Sequence, residues 1–199
     1  MNRLTSKIMN NLTENQERII ALQMHLGNDF FIVETEDGAH IFEGDEDEAQ
    51  AEYENYVRTI DENGAFVSFG LEESEAADFL TFCQDNYNEL TELDEDYLVL
   101  TNDEADEKAK EYILDSLWAF NPNFLASATG IDLEVFEAIQ SNGRCESNND
   151  AILRLVDDED ALVEEAISWD GRGHFLSHYD GAENSETVNE TEYFIYRQN

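Results

Sequence analysis

The densest run of side chains able to do chemistry lies between Trp169 and Gly181. It holds Asp170, Arg172, His174, Ser177, His178 and Asp180, and with them two of the chain's four histidines. His174 and His178 stand four apart, a spacing that on a helix brings two imidazoles to one zinc ion. The flanking glycines instead favour a strand over residues 173–179, where the two rings share a face about 13 Å apart, too far for a single metal. On that reading Asp170-Gly171 and Asp180-Gly181 are turns bracketing a buried strand, and Arg172 pairs with a local acid. It is the preferred one, so no catalytic residue, cofactor or metal is assigned. A hydrolytic or metal-dependent enzyme centred on residues 170–180 stays as a minor alternative. Elsewhere there is no glycine-rich phosphate loop and no nucleophile elbow. Asp45-Glu46-Asp47 and Asp94-Glu95-Asp96 lack the glycine and spacing of a calcium loop. Cys83 and Cys145 form no metal-ligand spacing and read as free thiols of a reducing compartment.

The carboxylates offer a different chemistry, that of charge. The chain of 199 residues carries 48 acids against 10 bases, a net charge of −38. Residues 1–28 hold two acids and three bases, residues 29–115 hold 29 acids and three bases, and residues 116–199 hold 17 acids and four bases. The stretch Glu43–Asp96 is the acidic centre, with Arg58 its sole basic residue. Aromatics at Tyr53, Tyr56, Phe66, Phe69, Phe79, Phe82 and Tyr87 run through it. Such acidity argues against direct contact with nucleic-acid phosphates, which takes Lys and Arg, and against an anionic membrane surface. Like charges at helical spacing oppose folding, so a basic partner outside the fold is the expected reason for them. The acids expected to face that partner are Asp45, Glu46, Asp47, Glu48, Glu52, Glu54, Glu72, Glu73, Glu75, Asp78, Asp85, Glu89, Glu92, Asp94, Glu95 and Asp96.

The elements that must position these groups follow from periodicity and punctuation. Thr13 and Gln16 fit a capping box, starting a helix at Glu14 that Gly27-Asn28 ends. This non-acidic first segment, residues 1–28, is expected to pack on the rest, with homodimerisation the alternative. Phe30–Val33 and Ala39–Phe42 flank Asp37-Gly38 as a hairpin. Asp45 caps a helix over residues 46–61, with Ala49, Tyr53, Tyr56, Val57 and Ile60 at helical period. Phe66–Phe69 reads as a strand, residues 72–90 as a helix and Tyr97–Leu100 as a strand. A helix over 103–120 then has Ile113, Leu114, Leu117 and Trp118 as its stripe. Past Asn121-Pro122 come short helices over 124–128, 132–140, 150–156 and 160–169, then strands over 173–179 and 192–197. The expected fold is α+β: a small mixed sheet covered by acidic helices in residues 29–120, then a helical region, 121–199, ending in a strand pair. The hydrophobic share of 41% argues against wholesale disorder. No apolar run spans a membrane and no secretory start is visible, so a soluble protein of the bacterial cytoplasm is expected.

The end of the chain resembles known sequences. Asn149-Asp150-Ala151-Ile152-Leu153, then Asp170-Gly171-Arg172-Gly173-His174-Phe175-Leu176, then Tyr179-Asp180-Gly181 and Tyr196-Arg197 resemble the C-terminal part of uncharacterised proteins of bacteriophages and other mobile elements. That resemblance implies a setting and no activity for any residue. In overall character, and not by an aligned motif, the chain is similar to acidic DNA-mimic inhibitors of such elements, the anti-restriction and anti-CRISPR proteins. The resemblance implies an inhibitor of a host nucleic-acid-targeting defence system. It would occlude the DNA- or RNA-binding surface of a Cas effector or restriction enzyme, without catalysis. Two further readings of the acidity remain: an immunity protein neutralising a basic toxin nuclease, and a halophilic protein with a solvated acidic surface. Against halophily stand the 18 asparagines and the many Ile and Phe, a composition that fits an AT-rich mesophilic genome.

Overall fold

The computed structural model describes residues 12–60 and 76–199. The fold is α+β, and the chain clusters into two compact units. The first comprises residues up to Asp94 together with Ser185–Tyr193; the second comprises Glu95–Asn184 and Phe194–Asn199.

In the first unit, helix α1 (Glu14–Leu26) begins where the capping box places it. The Thr13 backbone N–H donates to Gln16 Oε1 at 2.9 Å and the Gln16 N–H to Thr13 Oγ1 at 3.3 Å. Gly27, at φ 69°, closes the helix in the left-handed region where a side chain is strained. Ile19, Ile20, Ala21 and Leu22 are buried within the chain. Strands β1 (Phe30–Thr35) and β2 (Gly38–Glu43) pair antiparallel, Thr35 opposite Gly38, so Glu36 and Asp37 form the two-residue turn. Helix α2 (Glu46–Ile60) is capped by Asp45, whose Oδ1 accepts from the N–H groups of Asp47 at 2.8 Å and Glu48 at 3.1 Å. Its Ala49 and Tyr53 face inward and meet Phe79 and Cys83 of α3 (Ala76–Asn86) over Phe31, Val33 and Phe42 of the hairpin. Rings interlock there: Phe31 stacks on Phe42 at 5.4 Å, and Tyr53 meets Phe79 at 5.2 Å. Residues 88–90 run beside β2, the Glu43 N–H donating to the Asn88 carbonyl and the Leu90 N–H to the Ile41 carbonyl. The strand expected over 66–69, and the first residues of the helix expected from 72, lie outside the described residues.

The second unit is built on strand β3 (Tyr97–Thr101) and helix α4 (Asn102–Asp115), with a 3₁₀ turn at Leu117–Ala119. Then come α5 (Pro122–Thr129), α6 (Leu133–Gln140), a 3₁₀ turn at Cys145–Asn148, α7 (Asn149–Leu153) and α8 (Glu159–Leu176). Strands β4 (Asn184–Val188) and β5 (Thr191–Arg197) form the closing hairpin, of which Ser185–Tyr193 belong to the first unit and Asn184 and Phe194–Arg197 to the second. The core joins Ala105, Ala109 and Ile113 of α4 to Leu162, Val163, Ala166 and Phe175 of α8, with Phe136, Ile152 and Tyr196. Helix α8 runs antiparallel to α4: Asp160 near its start pairs with Lys110, and Arg172 near its end pairs with Asp106.

Two expectations about strands are corrected. Among the described residues the strands fall in two sheets and not one small mixed sheet: β1 pairs with β2, while β3 joins the C-terminal strands in the order β3-β5-β4. The expected strand over 173–179 is largely helix, since α8 continues to Leu176. Gly171, at φ 77° and ψ 156°, breaks the helix locally, and the chain resumes its turn beyond it. Phe175 and Leu176 thereby extend the buried stripe begun by Leu162, Val163 and Ala166. Gly173 is required for packing and not for a turn: a Cβ there would lie 2.5 Å from the Gly181 carbonyl oxygen and 2.8 Å from the Glu183 nitrogen. The hairpin's first strand accordingly forms later, at β4.

Candidate functional site: acidic helix faces

The first unit carries most of the described acids singled out from the sequence. Asp45, Glu46, Asp47 and Glu48 are exposed at the start of α2. There the positive end of the helix dipole favours negative charge. Glu52 is exposed and accepts a hydrogen bond from the Tyr87 hydroxyl at 2.9 Å. Tyr87 is pushed up to about 12, first by burial and then by that hydrogen bond to Glu52. Glu54 is half-buried. Asp78 and Asp85 are exposed on α3, seven residues apart and so on one face, about 10.5 Å along the axis. Glu89 is half-buried and pairs with His40 Nδ1 at 2.8 Å. Glu92 and Asp94 are exposed in the segment that follows. Glu72, Glu73 and Glu75 lie outside the described residues. In the second unit Glu95 and Asp96 are exposed, and Asp96 Oδ1 accepts from Asn199 Nδ2 at 2.7 Å.

The second unit adds a row that sequence reasoning passed over. Asp103, Glu107, Glu111 and Asp115 stand at successive four-residue intervals on α4, and all four are exposed. Helical rise puts neighbours about 6 Å apart and the whole row over about 18 Å. Opposite, Asp160 and Glu164 of α8 repeat the same spacing. Between the two helices lies a groove of about 1040 Å³ with Leu114, Val163 and Ile167 in its lining and Glu107, Glu111, Asp160 and Glu164 around it. Lys110 is the cation in that lining, and it is engaged by Asp160. The i, i+4 repeat was visible in the sequence. It was overshadowed by the denser acid runs at 45–48 and 94–96, which have no such period.

Ion pairs among the described residues include Arg18 with Glu14, His40 with Glu89, Lys110 with Asp160, and Arg172 with Asp106 and Glu183.

The run from Trp169 to Gly181 is occupied by structural bonds. Arg172 donates from Nε and Nη2 to the two carboxylate oxygens of Glu183 at 2.9 and 3.1 Å. It also donates from Nη1 to Asp106 Oδ1 and Asn102 Oδ1, each at 2.9 Å. Its guanidinium lies 4.3 Å from the ring centre of Phe194, and its side chain is 10% exposed. The expected local acid is therefore Glu183, joined by Asp106. The Ser177 hydroxyl lies 2.7 Å from Asp180 Oδ1. That hydrogen bond, followed by one from the Ala182 N–H, holds the Asp180 carboxyl below its ordinary range. His174 and His178 are both exposed. Among the described residues no three His, Cys, Asp or Glu side chains gather as a metal site. Burial pushes the Cys83 thiol up to about 12, which leaves it an inert core group, whereas Cys145 is exposed. No described helix is long and apolar enough to cross a membrane.

Compared with family models, with curated proteins and with solved structures, the chain matches none of them.

Proposed function

We propose that this protein inhibits a host nucleic-acid-targeting defence complex, a Cas effector or a restriction enzyme. It acts as an acidic mimic that occludes the complex's basic DNA- or RNA-binding surface. The observation that carries the reading is the exposed row Asp103, Glu107, Glu111 and Asp115 on α4. Four carboxylates over about 18 Å compare with the roughly five phosphate charges that one DNA strand presents over that length. Asp78 and Asp85 on α3 repeat a spacing close to three base-pair steps of about 3.4 Å. A groove lined with Lys and Arg gains steering and attraction from such rows as it does from phosphates. The same surface serves an immunity protein against a single toxin nuclease, so the choice of targets in the test decides between them.

The test is competition for DNA binding by purified restriction endonucleases and Cas effectors, with a basic toxin nuclease in parallel. The expected result is displacement of DNA by the protein, reversed by added DNA. It should weaken by about tenfold or more as salt rises from about 50 to 200 mM. Inhibition indifferent to both DNA and salt would contradict the mimic reading, and inhibition confined to the toxin nuclease would transfer it to immunity.

A further inference from the structure

The second unit also exposes aromatic surface that its core does not require. Trp169 on α8 is 68% exposed and Tyr112 on α4 is 44% exposed. Tyr112 borders two adjoining hollows that share Tyr112, Ser116 and Phe175, and Trp169 borders the larger of them. The larger, about 450 Å³, is walled by Phe120, Phe124, Trp169 and His174, with the carboxylate of Asp170 in its lining. The smaller, about 380 Å³, has His178, Leu98, Lys108, Glu111 and Asp115 in its lining. The rings are ordered: Phe120 stacks on Phe175 at 6.1 Å and 9°, and Phe124 meets the Trp169 edge at 6.0 Å. Together the hollows form one aromatic trough with carboxylates in both lobes.

We infer that this trough receives arginine side chains of a basic partner protein, one in each lobe. The inference rests on the partner class proposed above and adds a specific anchor to it. A guanidinium is planar and weakly hydrated, so it stacks on ring faces while its fork reaches a carboxylate; an ammonium is compact and strongly hydrated and fits such a slot less well. The protein holds its own arginines by the same chemistry. Arg172 lies over Phe194 with Glu183 and Asp106, and Arg197 lies 3.9 Å from the ring centre of Tyr179. Charge complementarity selects the occupant: a chain of net charge −38 disfavours anionic ligands. Exposed Trp and Tyr with a pocket beside them are the residues that dominate binding energy in protein interfaces.

The probes are a hexa-arginine and a hexa-lysine peptide, at about 100 mM salt, where surface charge is screened within about 10 Å. Affinity is read by fluorescence anisotropy and contact by the NMR signals of the two tryptophan indole N–H groups. Hexa-arginine should shift the Trp169 signal far more than that of Trp118, and bind about tenfold more tightly than hexa-lysine. Trp169→Ala, at an exposed position, should abolish the preference for hexa-arginine. Equal binding of both peptides without a Trp169 shift overturns the trough while leaving the acidic-surface reading standing. Binding of neither peptide overturns both.

Discussion

The acids of α2 and those of α4 differ in what the fold gains from them. At the start of α2, Asp45 caps the helix and Glu46, Asp47 and Glu48 sit at its positive end. Glu52 takes the Tyr87 hydroxyl. Each has a local structural reason. Of the row on α4, Asp103 lies in the first turn, while Glu107 and Glu111 add like charges at four-residue spacing and Asp115 closes a last turn that contains no basic residue. Such repeats cost a few tenths of a kcal/mol each, and an acid at the negative end of the dipole costs a similar amount. A dense acid run is thus weak evidence for a partner, whereas a regular row that opposes its own helix needs an explanation outside the fold.

The comparison breaks at different places and by different amounts. The largest effect belongs to the clamp that ties α4 to the end of α8. Arg172→Ala leaves Asp106 and Glu183 without their cation and should cost about 2 kcal/mol by denaturant unfolding, less than a fully buried pair because both carboxylates keep contact with water, with Arg172→Lys recovering part of it. Next is the α2 cap: Asp45→Ala should cost about 1 kcal/mol, while Asp45→Asn retains most of the stability. For α4 the sign reverses. Glu107→Gln, Glu111→Gln and Asp115→Asn should each stabilise by a few tenths of a kcal/mol. A loss of stability on all three would remove the contrast between the helices.

A further effect is at alkaline pH. Tyr87 in the folded protein is raised to about 12 by burial and by Glu52, from an ordinary value of 10.0. Between those values the unfolded chain has released the proton that the folded chain retains, so stability should fall as pH rises through that window. Tyr87→Phe should flatten the decline, read from melting temperatures across the same range; an unchanged slope would separate Glu52 from any structural role.

Local signals carried much of the fold into the sequence. Thr13 with Gln16, and Asp45, mark helix starts through short-range bonds. Asp37-Gly38 marks the hairpin for the same reason. The union of β3 with β5 left no such trace, because it joins segments nearly a hundred residues apart and depends on which faces the helices leave open. Gly171 and Gly173 misled because glycine punctuates turns, yet here one permits a break inside α8 and the other a close backbone approach. Arg172's pairing was legible as chemistry, but Asp106, 66 residues away, was not. The α4 row was legible by period alone, and the aromatic trough was not, since Tyr112, Phe124 and Trp169 meet only after the chain folds.

The most direct test of the central claim is the quadruple variant Asp103→Asn, Glu107→Gln, Glu111→Gln, Asp115→Asn, assayed with the wild-type protein for displacement of DNA from purified restriction endonucleases and Cas effectors at about 50 mM salt. If the row exists for a basic partner, the variant should fold at least as stably as the wild type and lose about tenfold or more in inhibition. A stable variant that inhibits as well as the wild type, or a wild type that displaces DNA from none of the targets, would contradict it.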